Sequence, residues 1–183
     1  MQDSSPGFGE KATADDPLDI IAREHALQLE LSKSLEFIAD GLPAQVDRRL
    51  VREVTAILSR GLSAHFEMEE RLLFPLLRQR ANDDAALVAA LDQLAMEHAR
   101  DDDISAELVD ELTVLAEQGR ARNAEMLGYM LRGYFESQRR HIEWENAVVL
   151  PAARRLLTDQ DRQQLAGRLK RRPVASSAAD RWG

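Results

Sequence analysis

Along most of this chain, apolar residues return every three or four positions, the period of an α-helix, and nowhere do they form an alternating β-branched run. Leu58, Leu62, Leu72, Leu73 and Leu76 share one stripe, and Leu91, Leu94 and Ala95 share another. With few aromatic residues and abundant Ala, Leu, Glu and Arg, the pattern predicts an all-α chain of five helices. The first begins at Pro17, a first-turn residue after Asp15 and Asp16, and stops at Asp40-Gly41-Leu42-Pro43. The second runs from about Ala44 to Arg80, and Pro75 should kink it or end its regular part. The third spans about Asp84 to Glu117, before Gly119, and the fourth about Arg120 to Leu157 with Pro151 inside it. A short fifth helix covers Asp159 to Lys170. Residues 1–16 are expected to be a disordered arm, 17–158 the helical domain, 159–170 the short helix and 171–183 a flexible tail. Lys170, Arg171 and Arg172 fit a solvated terminus better than a docking patch.

Polar residues interrupt the stripes in a repeated way. His65-Phe66-Glu67-Met68-Glu69 is followed by Pro75 and His141-Ile142-Glu143-Trp144-Glu145 by Pro151, so H-x-E-x-E-x5-P occurs twice, 76 residues apart. Glu24-His25-Ala26 with Ser32 matches Glu97-His98-Ala99 with Ser105 at an offset of 73. The chain therefore reads as two related helical hairpins, each with a lone histidine on one helix and a His-x-x-x-Glu pair on the other. On a helix that pair lies about 40° apart on one face, while Glu67 and Glu143 point elsewhere. The faces are the apolar ones: Ile21 and Leu29 accompany His25, Leu91 and Leu94 accompany His98, and Tyr134, Val148 and Val149 flank His141.

Residue counting places the histidines at one height. His65 stands 15 residues before Arg80 and His98 stands 14 after Asp84; His98 is 21 before Gly119 and His141 is 21 after Arg120. His25 is 18 before Pro43 and His65 is 20 after Gln45. Short turns between antiparallel helices then bring all four to one level of an antiparallel up-down four-helix bundle with a short extra C-terminal helix. A lone buried His is ordinarily a hydrogen-bonded core residue, and a His-x-x-x-Glu pair is ordinarily a solvated contact. The repeated spacing and matched heights favour a shared site instead. An ionised carboxylate alone in a core is costly, by roughly several kcal/mol, and a divalent metal offsets that charge while taking neutral imidazole nitrogens as ligands. Two carboxylates among four histidines suit two metals bridged by Glu69 and Glu145. Trp144, Met68, Phe66 and Phe135 fit core packing better than the lining of a ligand pocket.

Composition narrows the chemistry. The chain has no cysteine, which excludes thiolate metal sites, iron–sulfur clusters and disulfides and leaves nitrogen and oxygen donors. Such donors favour iron or manganese, with zinc as a further candidate. A net charge of −8 repels a phosphate backbone, so nucleic acid is not an expected partner. No apolar stretch reaches about 18 residues, and residues 1–16 lack a basic start followed by an apolar run, so a soluble, cytoplasmic protein with no membrane partner is expected. No nucleophilic triad, phosphate loop or nucleotide fingerprint is present.

At these residues, from Asp19 to Leu157, the chain resembles the hemerythrin-like (HHE cation-binding) family: a His on the first helix (His25), His-x-x-x-Glu on the second (His65, Glu69), a His on the third (His98) and His-x-x-x-Glu on the fourth (His141, Glu145). The resemblance implies two iron ions with an oxo or hydroxo bridge, one held by His25 and His65, the other by His98 and His141, and both by the glutamates. It implies a protein that binds or senses O2, NO or the redox and iron state, and as an alternative a di-iron enzyme such as a ferroxidase or a consumer of reactive oxygen or nitrogen species. The oxygen-carrying members place a second His one turn after that of the third helix, where this chain has Asp102; they also commonly use an Asp five residues after the fourth-helix His, where it has Glu145 at four. Asp102 is either an oxygen ligand to the second iron or part of a solvated acidic run with Asp101 and Asp103. As a ligand it would make the site more anionic and disfavour reversible oxygen carriage.

Overall fold

The computed structural model describes residues 16–82 and 84–169; the expected arm, apart from Asp16, and the expected tail lie outside them. Every regular element among the described residues is helical. Helix α1 covers Pro17–Gly41 and begins as the sequence predicts, with the Asp16 side chain accepting from the Leu18 N–H. Helix α2 covers Arg48–Met68, α3 Phe74–Arg80, α4 Ala85–Gln118, α5 Ala124–Trp144, α6 Leu150–Leu156 and α7 Asp159–Leu169. Helix α4 starts on an Asp84 cap and ends where Gly119 turns left-handed at φ 73°, a conformation that suits a residue without Cβ.

Two starts fall later than the periodicity suggests. Helix α2 begins at Arg48 because Asp47 accepts from the Arg49 and Leu50 N–H groups, and α5 begins at Ala124 because Asn123 accepts from Met126. Local capping outweighs the continuing apolar pattern at both places.

The two long rods containing prolines do not simply kink at them. Glu69–Leu73 and Glu145–Val149 are π turns, closed by Phe74 N–H to the Glu69 carbonyl and Leu150 N–H to the Glu145 carbonyl. Pro75 and Pro151 each sit one residue after that closure. A proline offers no N–H to the carbonyl four residues back and its ring crowds that carbonyl, and the wide turn loosens the chain just ahead of it. Both turns begin on the glutamate of a His-x-x-x-Glu pair, so the internal repeat extends to backbone geometry.

Helix α1 lies along α5 and α2 along α4, with α4 also on α5 and α1 on α2. Two apolar clusters fill the interior. One gathers Leu18, Ile21, Leu73, Phe74, Leu91, Leu94 and Val149 together with Leu165 and Leu169 of α7. The other gathers Leu35, Val54, Leu58, Leu62, Leu108, Leu112, Leu131 and Tyr134. On α1, α4 and the α5–α6 rod, the histidines and glutamates fall between the residues of one cluster and those of the other. Helix α7 is pinned by Asp161, which accepts from Arg80 Nε at 2.9 Å and Nη2 at 3.1 Å and from the Thr158 hydroxyl at 2.7 Å. Arg80 holds the Asp161 carboxyl down at about 2. No helix among the described residues is long and apolar enough to cross a membrane.

Candidate metal centre

The structure brings His25 of α1, His65 of α2, His98 of α4 and His141 of α5 together with Glu69 and Glu145, and none of the six is more than 3 % exposed. Their donor atoms fall into two groups, His25, His65, Glu69 and Glu145 in one and Glu69, His98, His141 and Glu145 in the other, with all atoms of a group within 4.8 Å of one another. Both carboxylates belong to both groups. The His25 Nε2 lies 3.5 Å from Glu69 and 3.2 Å from Glu145, the His65 Nε2 3.4 Å from Glu69, the His98 Nε2 3.5 Å from Glu69, and the His141 Nε2 3.3 Å from Glu145. These approaches are close in distance but wrongly directed for hydrogen bonds: His25 Nε2, His65 Nε2, Glu69 Oε2 and both Glu145 oxygens have no hydrogen-bond partner.

The other ring nitrogen of every histidine faces outward onto an oxygen. Nδ1 of His65 donates to Glu24 at 2.7 Å, Nδ1 of His98 to Glu70 at 2.9 Å, Nδ1 of His141 to Glu97 at a longer 3.4 Å, and Nδ1 of His25 to the Asn146 amide oxygen at 2.8 Å. A carboxylate can only accept, and so can the amide oxygen, so the proton of each neutral imidazole belongs on Nδ1 and the Nε2 lone pair points inward. His98 is also held by stacking, with Phe66 at 4.1 Å and Phe74 at 5.8 Å between ring centroids.

Four inward nitrogens and two carboxylates make a buried set of acceptors, in which the Nε2 atoms of His98 and His141 stand 3.0 Å apart and can share a proton while those of His25 and His65 have no hydrogen-bond partner. Such a set is stable only around positive charge. In a metal-free protein that charge comes as protons. Burial opposes it, yet Glu145 and Glu69 push His25 up to about 9, and Glu69 and Glu24 push His65 up to about 10. Burial likewise works against ionised Glu69, but His65 and His25 hold its carboxyl well below the usual range. His98 responds differently, since burial wins there and lowers its imidazole. Orphaned acceptors, an all nitrogen and oxygen donor set and imidazoles fixed from behind are together what a pair of borderline or hard metal cations needs.

Asp102 is not brought to this cluster. The buried face of α4 at this height follows His98, Asp101, Ser105 and Leu108, steps of three, four and three that leave Asp102 half-buried at the flank. The buried carboxylate is Asp101, which accepts from Gln138 Nε2 at 2.7 Å and Ser137 Oγ at 3.3 Å, and burial raises its carboxyl above the ordinary value. Glu24, Glu70, Glu97 and Asn146 join the site only in the structure. A signal existed for two of them, because a Glu immediately precedes the lone His in both halves. Glu70 and Asn146 each follow a cluster glutamate, but nothing in the sequence tells that they reach another helix.

No curated protein and no solved structure matches the chain. A family model, the hemerythrin HHE cation binding domain, matches residues 16–153, which contain all six cluster residues and all four outer partners. Over three quarters of its length, and through a buried His/Glu cluster that could hold metal cations, the chain belongs to the hemerythrin HHE cation-binding family.

Proposed function

We propose that the protein is an antiparallel up-down four-helix bundle, capped by α7, that binds two iron ions joined by an oxo or hydroxo bridge. Cross-helix pairs support the topology: Asp19 with Arg154, His25 with Asn146 and Asp40 with Arg132 run in opposite directions along α1 and the α5–α6 rod. Arg48 with Ala116 and Arg78 with Asp92 do the same for α4 and the rod of α2 and α3. The observation that carries the metal reading is that both ligand groups share Glu69 and Glu145. His25 and His65 would hold one iron and His98 and His141 the other, with Glu69 and Glu145 within reach of both. Asp102 is not assigned as a ligand.

When bound, such a pair supplies reversible electron transfer and positions open to a small neutral molecule such as O2 or NO. The chain's contribution is to orient the imidazoles through their Nδ1 partners and to keep bulk water away with the apolar clusters on either side. We therefore assign the protein a role in binding or sensing O2, NO or redox state. Anaerobic loading with Fe(II), elemental analysis and the optical spectrum after oxidation test this. Two irons per chain with near-ultraviolet oxo-bridge bands, and spectral change on adding O2 or NO without sustained turnover, are expected. One metal or none would sink the di-iron reading, and multiple-turnover oxidation of Fe(II) or consumption of peroxide would move the protein to the enzyme class.

A further inference from the structure

The four contacts behind the histidines follow a closed path. Glu24 on α1 receives His65 of α2; Glu70, in the π turn after α2, receives His98 of α4; Glu97 on α4 receives His141 of α5; and Asn146, in the π turn after α5, receives His25 of α1. Each helix that presents a histidine is thus tied to the next, and the last is tied to the first. The ring also obeys the internal repeat: Glu24 and Glu97 are 73 residues apart, and Glu70 and Asn146 are 76 apart. At three of the four places the acceptor is a carboxylate, and at the fourth it is a neutral amide.

We propose that Glu24, Glu70, Glu97 and Asn146 are positioning residues that set the metal centre's asymmetry, with Asn146 making the His25/His65 half the weaker-binding and more easily reduced half. This rests on the di-iron reading above. A carboxylate behind an imidazole makes its Nε2 a better donor and stabilises the more highly charged metal; an amide fixes the ring without that charge. His98 and His141 both have a carboxylate behind them. In the first half only His65 does. The side chains of Glu24, Glu70 and Glu97 are 29 %, 40 % and 31 % exposed, so solvent screens part of the effect and the lower end of the usual outer-partner range applies, about tenfold in affinity per link.

Isosteric exchanges test it. Asn146→Asp supplies the missing carboxylate at the same reach, and Glu70→Gln removes the corresponding charge from the second half. Affinity is read by anaerobic Fe(II) titration against a competing chelator, and the midpoint potential by spectroelectrochemistry. Asn146→Asp should tighten the weaker site about tenfold and lower its potential, whereas Glu70→Gln should weaken the tighter site about tenfold and raise its potential. Two-iron loading with parental affinities and potentials in both variants would overturn the proposal and leave the di-iron reading standing. A parent that binds no iron would overturn the di-iron reading, and the ring is then judged on metal-free protein by nitrogen-15 NMR of the imidazoles. Four slowly exchanging Nδ1–H protons are expected, with Glu24→Ala releasing that of His65 alone; absence of these protons, or release of all four together, would overturn the ring.

Discussion

The two halves of the centre have the same cluster residues but different surroundings one turn away. His25 corresponds to His98, His65 to His141 and Glu69 to Glu145, and both glutamates open π turns. Toward the second apolar cluster, however, Gln28 and Leu62 of the first half correspond to Asp101 and Gln138 of the second. The second half therefore carries a buried carboxylate with its own hydrogen-bond donors, and the first half carries an amide and a leucine. An internal repeat can hold its chemistry fixed where six residues must converge and diverge one helical turn out, where either a hydrogen-bonded polar pair or an apolar contact fills the space.

Removing a histidine from either half should produce the largest effect, because it takes one of the two imidazoles that belong to that half alone. His65→Ala and His141→Ala should each lose bound metal, and with it the extra stability that metal lends the native state, about 2.7 kcal/mol at a hundredfold excess over the dissociation constant. Elemental analysis and thermal unfolding with and without iron read this out, and a variant retaining two metals would contradict it. Next comes the buried pair that distinguishes the halves. Gln138→Leu leaves the Asp101 carboxyl without its 2.7 Å donor and should cost about 1–3 kcal/mol by denaturant unfolding. The double change Asp101→Gln with Gln138→Leu copies the first half and should cost less than Gln138→Leu alone; equal or additive losses would mean that the two layers are not equivalent.

The pH dependence of the metal-free protein sharpens the contrast further. His25 and His65 sit at about 9 and about 10 when folded, above the ordinary 6.5. Their contribution to stability is complete below 6.5 and is lost as pH rises through 9 to 10. In the second half His141 is raised too, burial being outweighed by Glu145 and Glu69, and shares in that loss, whereas His98 is shifted the other way and adds nothing to it. Melting temperature should thus fall on the alkaline side, the fall should be smaller in His25→Gln, and saturating metal should abolish it. The smallest change belongs to α7, outside both halves. The Asp161 carboxyl is held at about 2 against 3.8, so its contribution is present above about pH 4 and fades as pH falls toward 2. Asp161→Asn should flatten the acid limb of stability slightly without altering metal content.

The convergence of the six His and Glu residues was largely legible in the sequence because it is tied to helical period and repeat spacing, which are local quantities. Pro17, Asp84 and Gly119 mark helix ends through side-chain and φ preferences that also act locally. The π turns were hidden: prolines at 75 and 151 announce a disturbance, but not that it begins six residues earlier at a cluster glutamate. Asp101 and Asp102 show the limit of counting. Positions three and four beyond His98 are nearly equivalent on a helical wheel, and packing of α4 against α2 and α5 decides which is buried. The outer partners were out of reach for a further reason, since each lies on a different helix from the imidazole it holds.

A π turn is, in effect, a one-residue insertion absorbed without ending the helix. Each residue of a regular helix advances it by about 100°, so were this stretch regular with every residue kept, everything downstream would be rotated by about that angle relative to α2. Phe74 would turn away from His98, and Leu77 would leave the apolar cluster, while His65 and Glu69 kept their spacing. The register of the rod beyond the turn is in this way keyed to the same wide turn that presents the glutamate. A single-codon deletion there would let an ordinary turn close in its place and keep Phe74 and Leu77 near their present faces, so the wide turn is what reconciles the residue count with the packing.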